Sequence, residues 1–159
     1  MSHQPAHQVR LATQADAASA GRLLHDFNTE FGELTPGPKA LAERVGELLA
    51  EGQTAILLAD ADADPSGLAV LRFRPSIWSR ALECYLAELY VVPQLRGYGI
   101  GRALMQASIE LARERGADYM ELGTGEQDVV ARALYESLGF SNREGGPGGA
   151  INYFYEREL

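Results

Sequence analysis

A glycine-rich segment between a strand and a helix constrains the fold of this chain more than any other feature. Arg96-Gly97-Tyr98-Gly99-Ile100-Gly101 follows Leu82 to Val92, which predicts a long strand ending at Pro93. Helical spacing follows, in the apolar positions Ile100, Leu104, Ala107 and Leu111. Glycines let a backbone turn tightly, and the unpaired N–H groups at a helix start favour an anion such as pyrophosphate. The segment predicts a phosphate-binding turn, and a turn without a ligand is the alternative.

Two common nucleotide-binding motifs are excluded by their residues. A dinucleotide fingerprint starting at Gly97 and Gly99 requires a third glycine at the place of Arg102. A P-loop requires Gly-Lys-Ser/Thr, and the single lysine, Lys39, lies far from the turn. The glycines therefore predict neither of these folds.

The remaining patterns predict a chain of alternating strands and helices. Extended runs predict strands at 8–13, 55–59, 68–73, 82–92, 118–122, 140–143 and 151–156, with a hairpin connection over 62–67 and a buried strand at 118–122. Apolar residues at helical spacing predict helices over 16–31, 41–52, 100–116 and 130–139, and Asp16 is a candidate to cap or begin the first. The resulting order, β-α-α-β-β-β-α-β-α-β-β, predicts an α+β fold with a mixed twisted sheet and helices on both faces.

Length and composition predict one soluble domain. The 159 residues, 46% hydrophobic and 23% charged, suffice for one core, which we place at 8–159 after a loosely ordered or disordered 1–7. No run approaches the roughly 20 apolar residues of a membrane span, and the N-terminus has no apolar signal region. The single cysteine, Cys84, excludes an internal disulfide and a cysteine-rich zinc site. We expect a cytoplasmic protein without a metal.

The charge balance argues against one class of partner. Fourteen basic and twenty-two acidic residues give a net charge of −8, whereas nucleic-acid binding requires a basic surface. An acidic surface steers cationic molecules instead, although it also simply keeps a protein in solution. We therefore expect no nucleic acid and no membrane among the partners.

Two signatures together resemble the GNAT superfamily of N-acetyltransferases. Glu88-Leu89-Tyr90-Val91-Val92-Pro93 leading into Arg96-x-x-Gly99-x-Gly101 resembles the family's pyrophosphate-binding motif. Later in the chain, Ala131 to Phe140 is similar to the family's second signature. The element order agrees with the family from about Val9 to Leu159. One departure is Asp128, where the family often has an asparagine that helps to hold the cofactor; we interpret Asp128 as a helix cap.

The resemblance implies an enzyme that transfers the acetyl group of acetyl-CoA to an amine by direct attack in a ternary complex. It implies that the cofactor lies against the main chain of Leu89, Tyr90 and Val91 and against Arg96, Gly97, Tyr98, Gly99, Ile100, Gly101 and Arg102. Tyr135 takes the place of the family's usual general acid for the departing thiolate. Because tyrosine has a pKa near 10 and a thiol near 8.5, complete transfer is uphill by about 2 kcal/mol, so Tyr135 either donates the proton or only hydrogen-bonds the thiolate. A packing tyrosine is the structural alternative.

Two carboxylates are candidates for the general base. An alkyl ammonium with a pKa of about 10.4 must lose a proton before attack, at a cost of roughly 4.6 kcal/mol at pH 7. Glu88 is the first candidate because it lies on the strand just before the cofactor turn, and Glu83 is the second. Strand alternation predicts that the two point to opposite faces, so that at most one reaches the acceptor. Either could instead be a surface charge.

The acceptor site is predicted at the break between the first two helices and on the strand that carries Cys84. The residues assigned to it are Phe31, Glu33 and Tyr85. His25 and Cys84 are interpreted as structural, and Trp78 as lining either the acceptor site or a dimer contact. The acceptor class stays open among polyamines, aminoglycosides, amino acids and peptide amines. The alternatives to an acetyltransferase are a CoA-binding sensor without turnover and a transferase of longer acyl groups; a homodimer is an expectation from the family.

Overall fold

The computed structural model describes residues 8–61 and 64–159, so the prediction made for residues 1–7 lies outside the described chain. The elements follow in the order β1 (Gln8–Leu11), α1 (Ala17–Glu30), α2 (Pro38–Glu51), β2 (Thr54–Ala61), β3 (Asp64–Pro75), β4 (Leu82–Val91), α3 (Ile100–Glu114), β5 (Ala117–Leu122) and α4 (Val129–Ser137). Short 3₁₀ turns occupy Gln14–Asp16 and Pro93–Leu95. None of the helices in these ranges is both long and apolar enough to cross a bilayer.

The chain divides into two compact units, one through Leu122 and the other Gly123–Leu159. The first unit holds a five-stranded sheet in the order β1-β2-β3-β4-β5, antiparallel from β1 to β4 and parallel between β4 and β5. The second unit holds α4. The predicted α+β class and mixed sheet are confirmed.

Helices cover both faces of the sheet in the first unit. Leu68 and Val70 of β3 belong to a buried cluster with Leu23 of α1 and Val45 of α2. The alternate residues of β3 face α3, because a Cβ placed on Gly67 would lie 3.2 Å from a methyl group of Leu104. The side of α3 that is buried consists of Ile100, Leu104, Met105, Ser108 and Ala112. Burial of the apolar residues among them holds the start of α3, and the turn before it, against the sheet.

An ion-pair cluster fixes β1 to the residues before α1. The two terminal nitrogens of Arg10 donate to the two carboxylate oxygens of Asp16, both at 2.9 Å, and its Nε donates to Asp60 at 2.6 Å. Asp16 also accepts the N–H of Thr13 at 2.8 Å. These bonds lower the pKa of Asp16 to about 2, and the bonds from Arg10 make the largest contribution. Asp16 occupies the N-cap position of α1, but its side chain binds Arg10 and Thr13 and makes no cap hydrogen bond to the helix.

Three details differ from the sequence prediction. The strand β5 is an edge strand with no fully buried residue, and Tyr119 is 54% exposed, so the expected buried strand is wrong. The hairpin between β2 and β3 is present, but β3 begins at Asp64 and, with 12 residues, exceeds β4 with 10. The two final strands reduce to one isolated bridge, Arg143 to Ile151; the glycines between them do not bring longer stretches into register.

Candidate functional site

The glycine-rich turn adopts a conformation that requires its glycines. Gly97 and Gly99 have φ angles of 86° and 84°, in the left-handed region that disfavours residues with a side chain. A Cβ at either position would meet no atom within 4 Å, so the backbone conformation and not the lack of space selects glycine here. The turn lies at the surface, with Tyr98 55% exposed, while Ile100 is buried and anchors the first residue of α3.

Backbone donors collect at this turn. The helical bonds of α3 begin with the N–H of Ala103, which donates to the carbonyl of Gly99 at 3.0 Å. The N–H groups of Ile100 and Gly101, the first two residues of the helix, therefore lack acceptors within it. Such a row of donors at a helix N-terminus suits a phosphate group.

The strand before the turn has one edge without a strand partner. β5 pairs with β4 only between Leu82 and Leu86, whereas β3 accompanies β4 to Val91. From Ala87 to Val91, polar main-chain groups on the β5 side have no neighbouring strand among the five of the sheet. An extended ligand with amide groups can pair with such an edge. The side chain of Tyr90 is buried in the core, and those of Leu89 and Val91 are half-buried, so these three residues offer mainly main-chain groups to a ligand at this edge.

A β-bulge changes which side chains of β4 share a face. Val70 pairs with Glu88 and Leu71 with Leu86, so Ala87 is an extra residue in β4. Across the pairing, Glu88 therefore lies on the sheet face of Val70, the face covered by α1 and α2.

Glu83, opposite Arg74 on β3, lies on this same face. The expectation that Glu83 and Glu88 point to opposite faces is wrong, because the bulge adds one residue between them.

The two carboxylates differ in their surroundings. Glu83 is bound to Arg74, whose Nε donates to it at 2.7 Å while another nitrogen of the same guanidinium binds Glu121 at 2.7 Å. Glu88 is half-buried and forms no hydrogen bond or ion pair with any residue of the described chain. Burial raises its pKa, and the charge of Arg72 offsets part of that rise. Glu88 is thus the carboxylate that is free to accept a proton.

Arg96, the first residue of the turn, is held by its own chain. Its Nε donates to the carbonyl of Val91 at 2.9 Å, and Nη2 donates to both carboxylate oxygens of Glu30, at 2.9 and 2.8 Å. The guanidinium carbon lies 5.5 Å from the centre of the Tyr90 ring. Burial raises the pKa of the Tyr90 hydroxyl, and the negative charge of Glu30 adds to this effect.

The residues predicted for the acceptor lie in two places. Phe31 follows the last residue of α1, is 63% exposed and meets Phe27 edge-on at 5.4 Å between ring centres. Glu33 lies in the exposed loop between α1 and α2. Tyr85, half-buried, pairs with Arg72 and lies on the sheet face of Glu83 and Glu88. The structure thus groups Tyr85 with the carboxylates, and Phe31 with the end of α1.

Tyr135 lies in the second unit, on α4. It is the buried residue of that helix, and its ring contacts Phe140 edge-on at 6.2 Å between centres. Burial, followed by the charge of Asp128, raises the pKa of the Tyr135 hydroxyl. Asp128 accepts the N–H of Ala131 at 3.2 Å, so its interpretation as a helix cap is confirmed.

The interpretation of two residues as structural agrees with their contacts. His25 pairs through Nδ1 with the hydroxyl of Thr35 and so ties α1 to the loop that follows it. Cys84 is fully buried, and burial raises its pKa to about 11, which makes it a poor nucleophile. Trp78, by contrast, is 91% exposed in the loop between β3 and β4. Over the described ranges, no three His, Cys, Asp or Glu side chains converge on a common point that would suit a metal ion.

Two features of this region could not be found from the sequence. Glu30 and Arg96 are 66 positions apart, and no local pattern links them. The bulge at Ala87 leaves no mark in the residue pattern, since alanine occurs equally in regular strands. Both become visible only through the pairing of elements distant in sequence.

Known proteins resemble this chain in sequence and in fold. Residues 21–140 match the acetyltransferase (GNAT) family. The chain is 32% identical over 140 residues to an aminoglycoside N(6')-acetyltransferase type 1 of Stenotrophomonas maltophilia, covering 86% of this chain and 87% of that protein. It is 38% identical over 69 residues to a mycothiol acetyltransferase of Beutenbergia cavernae, covering 42% of this chain but only 23% of that longer protein. A crystal structure from Arthrobacter sp. FB24, designated an acetyltransferase, superposes over the full length of both chains with 44% identity and a TM-score of 0.87.

Proposed function

Because the chain belongs to the GNAT acetyltransferase family, we propose that it transfers the acetyl group of acetyl-CoA to the amine of a small cationic molecule or peptide, within a ternary complex. The observation that carries this proposal is the junction of β4 and α3. There a strand edge without a partner leads directly into a turn rich in backbone donors.

The residues at this junction fit the parts of acetyl-CoA. Its pyrophosphate needs donors and positive charge; we propose that it lies against the turn 96–102, where the N–H groups of Ile100 and Gly101 and the start of α3 supply them. Its pantetheine arm carries amides, which suit the edge of Leu89 to Val91. Acetyl-CoA supplies the thioester from which the acetyl group is taken, and the chain supplies its alignment.

Glu88 is proposed as the general base. An ammonium acceptor must lose a proton before its nitrogen can attack, and a carboxylate in reach takes that proton directly or through one water. The raised pKa of Glu88 supports this role, because a stronger base is a better match for an ammonium proton. Glu83 is less suited, since Arg74 occupies its carboxylate.

Tyr135 is proposed to stabilise the departing thiolate by donating a hydrogen bond. The raised pKa of its hydroxyl keeps the proton on the oxygen at neutral pH, so complete transfer to a thiolate becomes still less favourable than between free groups. A hydrogen bond to a charged acceptor is nevertheless worth about 1.5–3 kcal/mol.

A cationic acceptor is favoured over a neutral or anionic one. The chain carries a net charge of −8, and two carboxylates, Glu33 and Glu88, are among the residues proposed to meet the acceptor. The Stenotrophomonas relative is named for aminoglycosides, which are cationic amines, and this makes aminoglycosides and polyamines the first acceptors to test. Phe31 and Tyr85 are proposed to contact the apolar part of the acceptor. Cytoplasmic location and a homodimer remain predictions.

The experiment has two stages. Thermal unfolding is first followed with and without acetyl-CoA; a ligand at 100 times its Kd stabilises a protein by about 2.7 kcal/mol. Release of CoA is then measured against polyamines, aminoglycosides and peptides. Binding followed by turnover supports an acetyltransferase. Stabilisation without turnover favours a CoA-binding sensor. Preferential turnover of longer acyl-CoA favours a different acyl donor. If no acyl-CoA stabilises the protein, the proposal is refuted.

A further inference from the structure

The contacts of Arg96 restrict what its side chain can do in the turn. Nε and Nη2 are engaged by the carbonyl of Val91 and the carboxylate of Glu30, and the guanidinium lies against the ring of Tyr90. In the described part of the chain, no contact involves Nη1. Arg96 is thus fixed along one edge, and the other edge remains available for an anion.

Glu30 is itself fixed by its neighbours. It is the last residue of α1, and both of its carboxylate oxygens accept from Nη2 of Arg96, which lies over the ring of Tyr90. The ring of Tyr90 stacks on Phe27 with centres 5.1 Å apart and planes at 28°. The side chain of Glu30 is 27% exposed. A charged side chain held on a helix end in this way acts as a rigid support.

We propose that Glu30 is a positioning residue that holds Arg96, and through it the turn 96–101, in the arrangement that accepts the pyrophosphate of acyl-CoA. This inference rests on the proposed function, because it requires that the turn bind acyl-CoA. Arginine has many rotamers, and binding an anion would otherwise cost the entropy of selecting one of them. Glu30 selects the rotamer before the ligand arrives, which strengthens binding by preorganisation.

An opposing effect makes the inference testable. Glu30 carries a negative charge near the turn, and electrostatics alone predicts that its removal strengthens the binding of an anion. Because Arg96 lies within 2.8 Å and compensates that charge, we expect loss of preorganisation to be the larger effect. Loss of preorganisation would raise the Kd for acetyl-CoA, whereas loss of the negative charge would lower it, so one measurement of the Kd separates the two effects.

The experiment compares acetyl-CoA affinity by calorimetry in the full chain and its variants. We expect Glu30→Gln to raise the Kd by about threefold to tenfold, as for loss of a partly exposed, well-formed ion pair. Glu30→Asp, which keeps the charge, is expected to recover part of the loss. Arg96→Gln also raises the Kd, and adding Glu30→Gln to it produces no further increase, because Glu30 acts through Arg96.

The matched control is Glu47→Gln on α2, which also breaks a 2.8 Å ion pair, that with Arg44. It should leave the Kd unchanged. Unchanged or tighter binding by Glu30→Gln overturns the inference while the proposed function stands. Independent, additive losses in the double variant overturn it too. If the wild-type chain does not bind acetyl-CoA, the proposed function and this inference are both refuted. If Glu30→Gln does not fold, Glu30→Asp is measured in the wild-type chain and in Arg96→Gln. A Kd raised in the wild-type chain alone supports the inference, whereas an unchanged Kd or an additive loss overturns it.

Discussion

Replacing Glu88 by glutamine removes the proposed base while keeping the size of the side chain. At pH 7 an amine with a pKa of about 10.4 is neutral in roughly one molecule in 2,500, which corresponds to about 4.6 kcal/mol. General bases contribute about 10²- to 10⁴-fold. Since Glu88 is only half-buried, water can replace part of its action, so we expect kcat at pH 7 to fall by about 10²- to 10³-fold.

The dependence of kcat on pH distinguishes a lost base from a damaged site. In the wild-type enzyme, kcat should rise as Glu88 loses its proton and then level off; burial raises the pKa of Glu88, so this rise lies above the usual range of a glutamate. In Glu88→Gln, kcat should keep rising by about tenfold per pH unit towards the pKa of the amine. The assay is CoA release at saturating substrates, with the acceptor found by the panel.

Glu83→Gln is the control for this prediction. Glu83 lies on the same face of β4 and is the same residue type, but Arg74 holds its carboxylate at 2.7 Å. We expect its kcat to stay within about twofold, because its loss only breaks a surface ion pair. If Glu88→Gln keeps the wild-type kcat and pH profile, or if Glu83→Gln shows the large loss instead, the assignment of the base from burial and pairing is refuted.

Three further predictions concern other parts of the chain. Tyr135→Phe should lower kcat by roughly 10- to 100-fold with little change in acetyl-CoA affinity, as calorimetry and steady-state kinetics can check; an unchanged kcat would assign Tyr135 to packing alone. Gly99→Ala should lower the free energy of unfolding by about 1–2 kcal/mol, because Gly99 has a φ of 84°, and should weaken acetyl-CoA binding. The control is Gly116→Ala, since Gly116 has a φ of 85° but lies outside the turn. It should show a similar loss of stability in urea unfolding and leave acetyl-CoA binding unchanged. Asp16→Asn should lower the free energy of unfolding by about 1–2 kcal/mol at pH 7, since the ion pair with Arg10 lowers the pKa of Asp16 from 3.8 to about 2 and solvent screens part of the gain. That difference should be present above pH 3.8 and disappear as the pH falls through about 2, in urea titrations of both proteins; a pH-independent difference would contradict the ion-pair account.

Local patterns predicted most of the fold, and pairing between distant segments determined the rest. Apolar spacing and glycine positions identified the four helices and the turn at Gly97 and Gly99, because those signals lie within a few residues of one another. The faces of Glu83 and Glu88 were predicted wrongly, since a bulge depends on the partner strand and not on the residues of β4.

The other features that the sequence did not predict also depend on contacts between distant segments. The contact between Glu30 and Arg96 joins elements that approach each other only in the folded chain. The run 151–156 alternates like a strand, but a strand needs a neighbour, and the structure gives it only one bridge. Candidate catalytic residues could be named from the sequence, whereas which carboxylate is free to react depends on where Arg74 lies.

The extra residue in β4 makes this strand unequally tolerant of deletions and insertions. A deletion of Ala87 removes the bulge and restores the two-residue period, so that Glu88 follows Leu86 directly and both Glu88 and Tyr90 keep the faces they have now. A residue inserted between Glu88 and Leu89 instead turns the end of the strand over, because Tyr90 would leave the core face and Leu89 would take its place. The loss of one small residue at position 87 should therefore cost less than the gain of one residue two positions later, in the strand that leads into the turn.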